Sequence, residues 1–165
     1  MKKTTIISLG VAVLLLGGIV WIAQPSSGSE QRTQDLSGGE LTVDGDRFYD
    51  FGSISMAKGE VKTVFTLKNK SANSVVIKKV YTSCMCTTAW LNVPGKRWGP
   101  FGMAGHGFIP SIDQVINPSE EGTVEVVFDP AAHGPAGVGR IDRVVRLENS
   151  AGNPIELSFR ATVTP

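Results

Sequence analysis

The stretch IELSFRATV, residues 155–163, decides the fold class because its apolar and polar residues alternate strictly. The apolar members occupy every second position: Ile155, Leu157, Phe159, Ala161 and Val163. A period of two places one face of a strand on a core and the other in water, as in an antiparallel sheet with one covered side. The segment is therefore predicted to be a half-buried β-strand.

The same alternation recurs upstream, at residues 61–67, 75–81, 123–128 and 141–147. Arg143 interrupts the apolar face near the start of the last of these runs. Turn signals such as Asn117-Pro118 and Asp129-Pro130 separate the runs, and no helical period appears after residue 41. These patterns predict an all-β, Ig-like antiparallel β-sandwich of about seven strands.

Composition excludes several classes of protein. The chain has 165 residues, enough for one domain of ordinary size. Its 16 Lys and Arg nearly balance 15 Asp and Glu, so we expect no nucleic-acid partner bound through bulk charge. Its two cysteines are too few for a disulfide-dense scaffold or a four-thiolate zinc site within one chain.

The N-terminus has the pattern of a transmembrane helix. Lys2 and Lys3 precede an uncharged run of 18 residues, 6–23, which as a helix of ~27 Å just spans the hydrocarbon core of a bilayer. A cleaved signal peptide is the alternative, but cleavage after Ala23 would place the large Trp21 at position −3. We favour an uncleaved anchor, which keeps the lysines cytoplasmic.

Three parts of the chain are predicted on this basis. Residues 1–23 form the anchor or uncleaved signal, residues 24–40 form a flexible stalk rich in Ser, Gly and charge, and residues 41–165 form the sandwich. The predicted location is the cell membrane, with a single span and an extracytoplasmic C-terminal domain.

Four short motifs carry a resemblance to a known family: Phe51-Gly52, Thr82-Ser83-Cys84-x-Cys86-Thr87, Asn117-Pro118-x-Glu120 and Phe128-Asp129-Pro130. Over residues 48–163 the chain resembles the bacterial Ig-like family known as domain of unknown function 1573, itself similar to Hydin-type and major-sperm-protein-like sandwiches. The resemblance implies a fold and an exported setting but no reaction. The chain departs from plainer members by an insertion at 93–114 and by the loop AAHGPAGVGR, where we expect its particular function to lie.

The Cys84-Met85-Cys86 motif is the main candidate site. In an extended strand, residues i and i+2 point to the same side, so both sulfurs would face one ion or each other, and Met85 would point into the core. Three interpretations stay open: a strained and reducible disulfide between Cys84 and Cys86, a pair of inert thiols, or a site for a soft metal ion.

Additional metal ligands are predicted from topology. A strand that ends near residue 82 and another that ends near residue 128 run in the same sense, so the loops after both should lie at one pole of the sandwich. The insertion is expected to begin at that pole as well. Cys84, Cys86 and His133, with His106 or Met103, would then form a four-ligand set for copper, as Cu(I), or for zinc.

No catalytic motif is present, so we expect a protein that is not an enzyme. GxSxG, HExxH and Walker sequences are missing from the chain. The main alternative is a protein–protein interaction or scaffolding module of the cell envelope, in which Trp98, Phe101 and Phe108 contact a partner. A lesser alternative is thiol–disulfide redox work by the cysteine pair.

Overall fold

The structure, a computed structural model, describes residues 40–105 and 108–165. Ten strands and two short 3-10 helices make up this part of the chain. The strands are β1 (Leu41–Asp44), β2 (Phe48–Ser55), β3 (Val61–Asn69), β4 (Val75–Thr82), β5 (Thr87–Val93), β6 (Lys96–Phe101), β7 (Gln114–Ile116), β8 (Glu121–Phe128), β9 (Gly139–Asn149) and β10 (Ile155–Thr164). The 3-10 helices are Met56–Lys58 and Gly134–Gly137.

The strands form two five-stranded sheets that share one core. One sheet has the order β1-β3-β8-β5-β6 and the other the order β2-β10-β9-β4-β7. Phe128 of the first sheet and Phe159 of the second lie with ring centroids 5.4 Å apart, and both are buried. The all-β prediction is thereby confirmed.

Two details of the predicted fold are wrong. The sandwich has ten strands in place of about seven, because β1, β5, β6 and β7 were not recognised from their local patterns. It is also not fully antiparallel, since β2 pairs with β10 in the parallel sense and makes that sheet mixed.

The core follows the alternation read from the sequence. In β8 the buried positions are Gly122, Val124, Val126 and Phe128, and in β10 every apolar residue from Ile155 to Val163 is buried. Each such large side chain contributes about 1.5–3 kcal/mol through its removal from water. The period of two thus reports the core face of these strands correctly.

Four strands, β4, β5, β8 and β9, begin or end at the end of the sandwich that holds the functional residues. β4 ends at Thr82, and β5 begins at Thr87 opposite Phe128, the last residue of β8. β9 begins at Gly139 and runs away from the same end. We call this end the cysteine pole; it consists of residues 83–86, residues 129–138 and the start of β9.

The insertion at 93–114 reaches the cysteine pole from the far side. β5 leads away from the pole to Val93, and β6 returns until Phe101 pairs with Ala89. The expectation that the insertion begins at the pole is wrong, because β5 separates its start from the cysteines by the length of a strand. The chain then passes beside β4, where Thr82 N donates to Gly102 O at 2.9 Å.

No helix within residues 40–105 and 108–165 is long and apolar enough to cross a membrane. The predicted anchor at 1–23 and the stalk up to residue 39 lie outside the described residues.

Candidate functional site

The two cysteines lie just past the end of β4, as predicted, but in a tight turn and not in the extended conformation assumed for the motif. Thr87 N donates to Cys84 O at 3.2 Å and closes the turn. The buried hydroxyl of Thr82 bridges its two sides, with Oγ1 2.9 Å from Cys84 O and 3.1 Å from Thr87 O. Backbone and side-chain hydrogen bonds therefore fix the shape of this turn.

The turn directs both sulfurs toward each other at disulfide-bonding distance. The Cα atoms of Cys84 and Cys86 are 5.3 Å apart, within the usual range for a disulfide. Cys84 is 8% exposed and Cys86 is 3% exposed, so the pair lies just beneath the surface. Both residues are buried, and Cys84 is slightly the more exposed of the two.

His133 lies beside this pair, on the loop that follows β8. Its Nε2 is 3.2 Å from Cys84 Sγ. The backbone of the loop is tied to the turn, since Asp129 N donates to Cys86 O at 2.9 Å. Gly137 lies close against His133: a Cβ atom added at Gly137 would be 3.2 Å from His133 Cβ.

These three residues form a group of possible metal ligands. The ligand atoms of Cys84, Cys86 and His133 all lie within 4.8 Å of one another. In residues 40–105 and 108–165, this is the one group of three or more His, Cys, Asp or Glu side chains with such spacing. The arrangement offers two sulfurs and one nitrogen to a soft ion when the cysteines are reduced.

Arg143 is a member of the site to which the sequence analysis assigned no role. Its Nε donates to Cys86 Sγ at 3.4 Å, and Nη1 donates to Asp142 O at 2.9 Å. The residue is half-buried on the inward row of β9, between Ile141 and Val145. The sequence did carry the signal, because Arg143 is the charge that interrupts an otherwise apolar face.

Met85 and Met103 lie on an apolar cleft next to the turn. The cleft has a volume of about 620 Å³ and is lined on its other sides by Trp98, Phe101, Phe108 and Ile112. Met85 is 59% exposed, so its expected place in the core is wrong; the turn at 83–86 directs it outward. Met103 pairs through its backbone with Thr82.

The three aromatic residues of the predicted partner surface have different surroundings. Phe101 is buried in the core, with 6% of its surface exposed where it lines the cleft. Trp98 is half-buried, and its Nε1 donates to Gln114 Oε1 at 2.8 Å. Phe108 is 90% exposed. His106, the other predicted histidine ligand, lies outside the described residues.

The family model described as protein of unknown function (DUF1573) matches residues 41–96. This match confirms the predicted resemblance for that part of the chain, which includes both cysteines. His133 and Arg143 lie beyond the matched residues, so the family model carries no information about them. No curated protein matches the sequence.

Solved structures share the sandwich fold with this chain. A protein of unknown function from Porphyromonas gingivalis W83 superimposes with a TM-score of 0.55 at 13% identity, over 75% of this chain and 46% of the other. A family 123 glycoside hydrolase from Clostridium perfringens gives 0.50 at 5% identity, over 76% and 27%. The PapD-like domain 7 of human CEP192 gives 0.44 at 10% identity, over 86% and 96%. The present chain thus spans less than half the length of the first two, and at these identities the likeness concerns the fold alone.

Proposed function

We propose that this chain is an exported, membrane-tethered β-sandwich protein that binds a soft metal ion, Cu(I), and catalyses no reaction. The ligands are the reduced Cys84 and Cys86 and the imidazole of His133. One observation carries the proposal: three soft or borderline donor atoms lie within 4.8 Å of one another at one pole of the fold. Thiolates suit Cu(I) as well as zinc, and imidazole suits both; three donors are one fewer than a structural zinc site takes.

Charge supports a monovalent ion. Two thiolates and Cu(I) carry one net negative charge, and the guanidinium of Arg143 beside Cys86 compensates it. With Zn²⁺ the two thiolates and the ion would be neutral, and Arg143 would leave one net positive charge. A structural zinc site also needs four ligands, and His106 is the residue proposed to supply the fourth in that case. The thioether of Met103 would instead suit Cu(I).

The oxidised and reduced forms of the pair have different capacities for metal. A disulfide offers no thiolate, so the form with bonded sulfurs is the metal-free form. Exported proteins tend to hold cysteines oxidised. The metal-binding state of this protein therefore requires that the pair be reduced first.

A Cu(I) titration tests the proposal. The full chain, purified in mild detergent and reduced, competes for Cu(I) against a coloured chelator. We expect one Cu(I) per chain for the wild type and none for the Cys84→Ser, Cys86→Ser double variant. Equal metal content in the two proteins, measured by elemental analysis, would refute the proposal.

The two histidines provide a matched pair of variants. His133→Ala removes a ligand and should weaken Cu(I) binding by at least tenfold, roughly the effect of losing even an outer-shell partner of a metal site. His106→Ala should leave the Cu(I) affinity unchanged, because the three-donor site does not include it. If both variants weaken binding to the same extent, His106 is a ligand and the four-donor set applies.

The membrane tether needs a separate test. We propose that residues 1–23 anchor the chain, on the strength of their uncharged run after two lysines. The full chain should sediment with membranes and stay there after alkaline carbonate washing. A chain that lacks residues 1–23 should lose this behaviour, and soluble full-length protein would refute the anchor.

A second candidate function is docking of another envelope protein at the apolar cleft. The observation that favours it is the exposure of two large apolar side chains there, Met85 and Phe108. In-cell cross-linking from position 110, which also lines the cleft, should yield one defined product, which the Met85→Ser, Phe108→Ser double variant loses while it keeps Cu(I) binding. A cross-linking pattern unchanged by the substitutions would refute this candidate.

A further inference from the structure

Cys84 and Cys86 have unequal surroundings. Cys84 is the more exposed of the two, and its sulfur lies 3.2 Å from the exposed imidazole of His133. Cys86 lies deeper, with Arg143 Nε at 3.4 Å and Thr87 Oγ1 at 3.7 Å from its sulfur. Cys84 Sγ also accepts a hydrogen bond from Cys86 N at 3.4 Å. The two sulfurs therefore differ in that only Cys86 has a permanently charged donor beside it.

Arg143 is a half-buried cation, and a negative charge that forms beside it is stabilised. The residue occupies a core-facing position of β9, where Ile141 and Val145 are its neighbours in the same row. Among the described residues its guanidinium forms no ion pair with a carboxylate. The N–H donor meets a sulfur instead, and such a hydrogen bond becomes charge-assisted when that sulfur is a thiolate.

From this asymmetry we infer that the oxidised Cys84–Cys86 pair exchanges with a dithiol of a partner protein in a fixed direction. A thiolate of the partner attacks Cys84 Sγ, a sulfur–sulfur bond forms between them, and the Cys84–Cys86 bond breaks. Its electron pair leaves on Cys86 Sγ, where Arg143 stabilises the negative charge. The better a thiolate is stabilised, the faster it departs in such exchange.

The second half of the reaction balances the electrons. The other thiolate of the partner attacks the partner's own sulfur in the mixed disulfide, and Cys84 leaves with the electron pair. Both cysteines take up protons from water and end as thiols, while the partner dithiol ends as a disulfide. Two electrons have passed from the partner to the pair, and the site is now reduced.

This inference goes beyond metal binding and does not require a metal. It also gives the proposed Cu(I) site its reduced form, since exchange produces the two thiols that the ion needs. The two ideas fail separately, because exchange is measured on metal-free oxidised protein and Cu(I) binding on chemically reduced protein.

The first experiment identifies the attacked sulfur. The oxidised full chain is mixed with 2-mercaptoethanol, quenched in acid, alkylated and digested, and the peptide that holds both cysteines is fragmented in a mass spectrometer. We expect the mercaptoethanol adduct on Cys84 and the alkyl group on Cys86. Adducts chiefly on Cys86, or equal amounts on both, would overturn the inference.

The second experiment measures the part played by Arg143. The rate constant for reduction by 2-mercaptoethanol should fall roughly tenfold or more in Arg143→Gln, since hydrogen bonds to charged groups are among the stronger ones. Arg143→Lys should restore most of the rate. Arg140→Gln is the control, because Arg140 is an exposed arginine of the same strand that pairs with Asp142. A rate constant that is unchanged in Arg143→Gln would overturn the inference. If that variant fails to fold, the position of the mercaptoethanol adduct in the wild type decides whether the inference holds.

Discussion

Thr82→Val removes the hydroxyl group that holds the cysteine turn in shape. The Thr82 side chain is buried, and its Oγ1 lies within hydrogen-bonding distance of Cys84 O and Thr87 O. Valine has nearly the same volume and also favours strands. The substitution therefore deletes the donor while creating no cavity, and the two carbonyl groups lose a partner in a place that water does not reach.

The expected loss of stability follows from that burial. The Thr82 hydroxyl has one hydrogen to donate, so it satisfies one of the two carbonyl groups at a time, and the variant loses one hydrogen bond. Cys84 O keeps its hydrogen bond from Thr87 N, which limits the damage. A buried acceptor that loses its donor costs ~1–3 kcal/mol. About 2 kcal/mol in a domain of this size lowers the midpoint of thermal unfolding by roughly 8 °C.

Urea denaturation of the wild type and the variant measures this loss, with the slope m expected to stay the same. Thr42→Val is the matched control, because Thr42 Oγ1 donates to Lys68 O at 3.3 Å on the edge strand β1. That change should stay within about 0.5 kcal/mol of wild type. Equal losses for the two variants would refute the reasoning that the Thr82 hydroxyl supports the turn.

Two further substitutions test the packing. Gly99→Ala should destabilise the fold by roughly 1–3 kcal/mol in a thermal melt, because the added Cβ would lie 2.8 Å from Ala89 O and the backbone φ is +127°. Gly102→Ala is the control: nothing lies within 4 Å of its added Cβ, so its stability should equal that of the wild type. Asn69→Ala should cost about 2–4 kcal/mol in urea denaturation, because the buried Asn69 amide donates to two backbone carbonyls at 2.8 and 2.9 Å. Asn92→Ala should cost clearly less, since its one side-chain hydrogen bond, at 3.3 Å, lies nearer to solvent. Similar losses for the two asparagines would contradict the role given to the Asn69 amide. A Gly99→Ala variant as stable as the wild type would contradict the close packing at Gly99.

Much of the fold is encoded in local alternation. The run 155–163 predicts β10 because successive side chains of a strand point to opposite faces in any context. Three of the missed strands lack that information: β1 and β7 have only four and three residues, and β6 contains the Gly99-Pro100 pair, which is typical of turns. β5 does alternate, with Ala89, Leu91 and Val93 buried, and its pattern was overlooked. Pairing direction is not local either, so the parallel register of β2 on β10 was not predictable from either segment alone.

The candidate site was likewise predictable only in part. The sequence identifies Cys84, Cys86 and His133 as candidates because thiols and imidazoles are rare in this chain, and topology predicts one pole for the loops that carry them. The conformation between the cysteines depends on Thr82 and Thr87, so neither the turn nor the outward direction of Met85 was predictable. Arg143 was visible as an exception to a pattern, but its partner Cys86 is 57 residues away in sequence.

X-ray absorption at the copper edge of the Cu(I)-loaded full chain measures whether Cys84, Cys86 and His133 bind the ion. We predict two sulfur neighbours and one nitrogen neighbour around a single copper ion, with the nitrogen lost in His133→Ala and retained in His106→Ala. A copper shell without sulfur, or a nitrogen neighbour that persists in His133→Ala, would contradict the three-residue site.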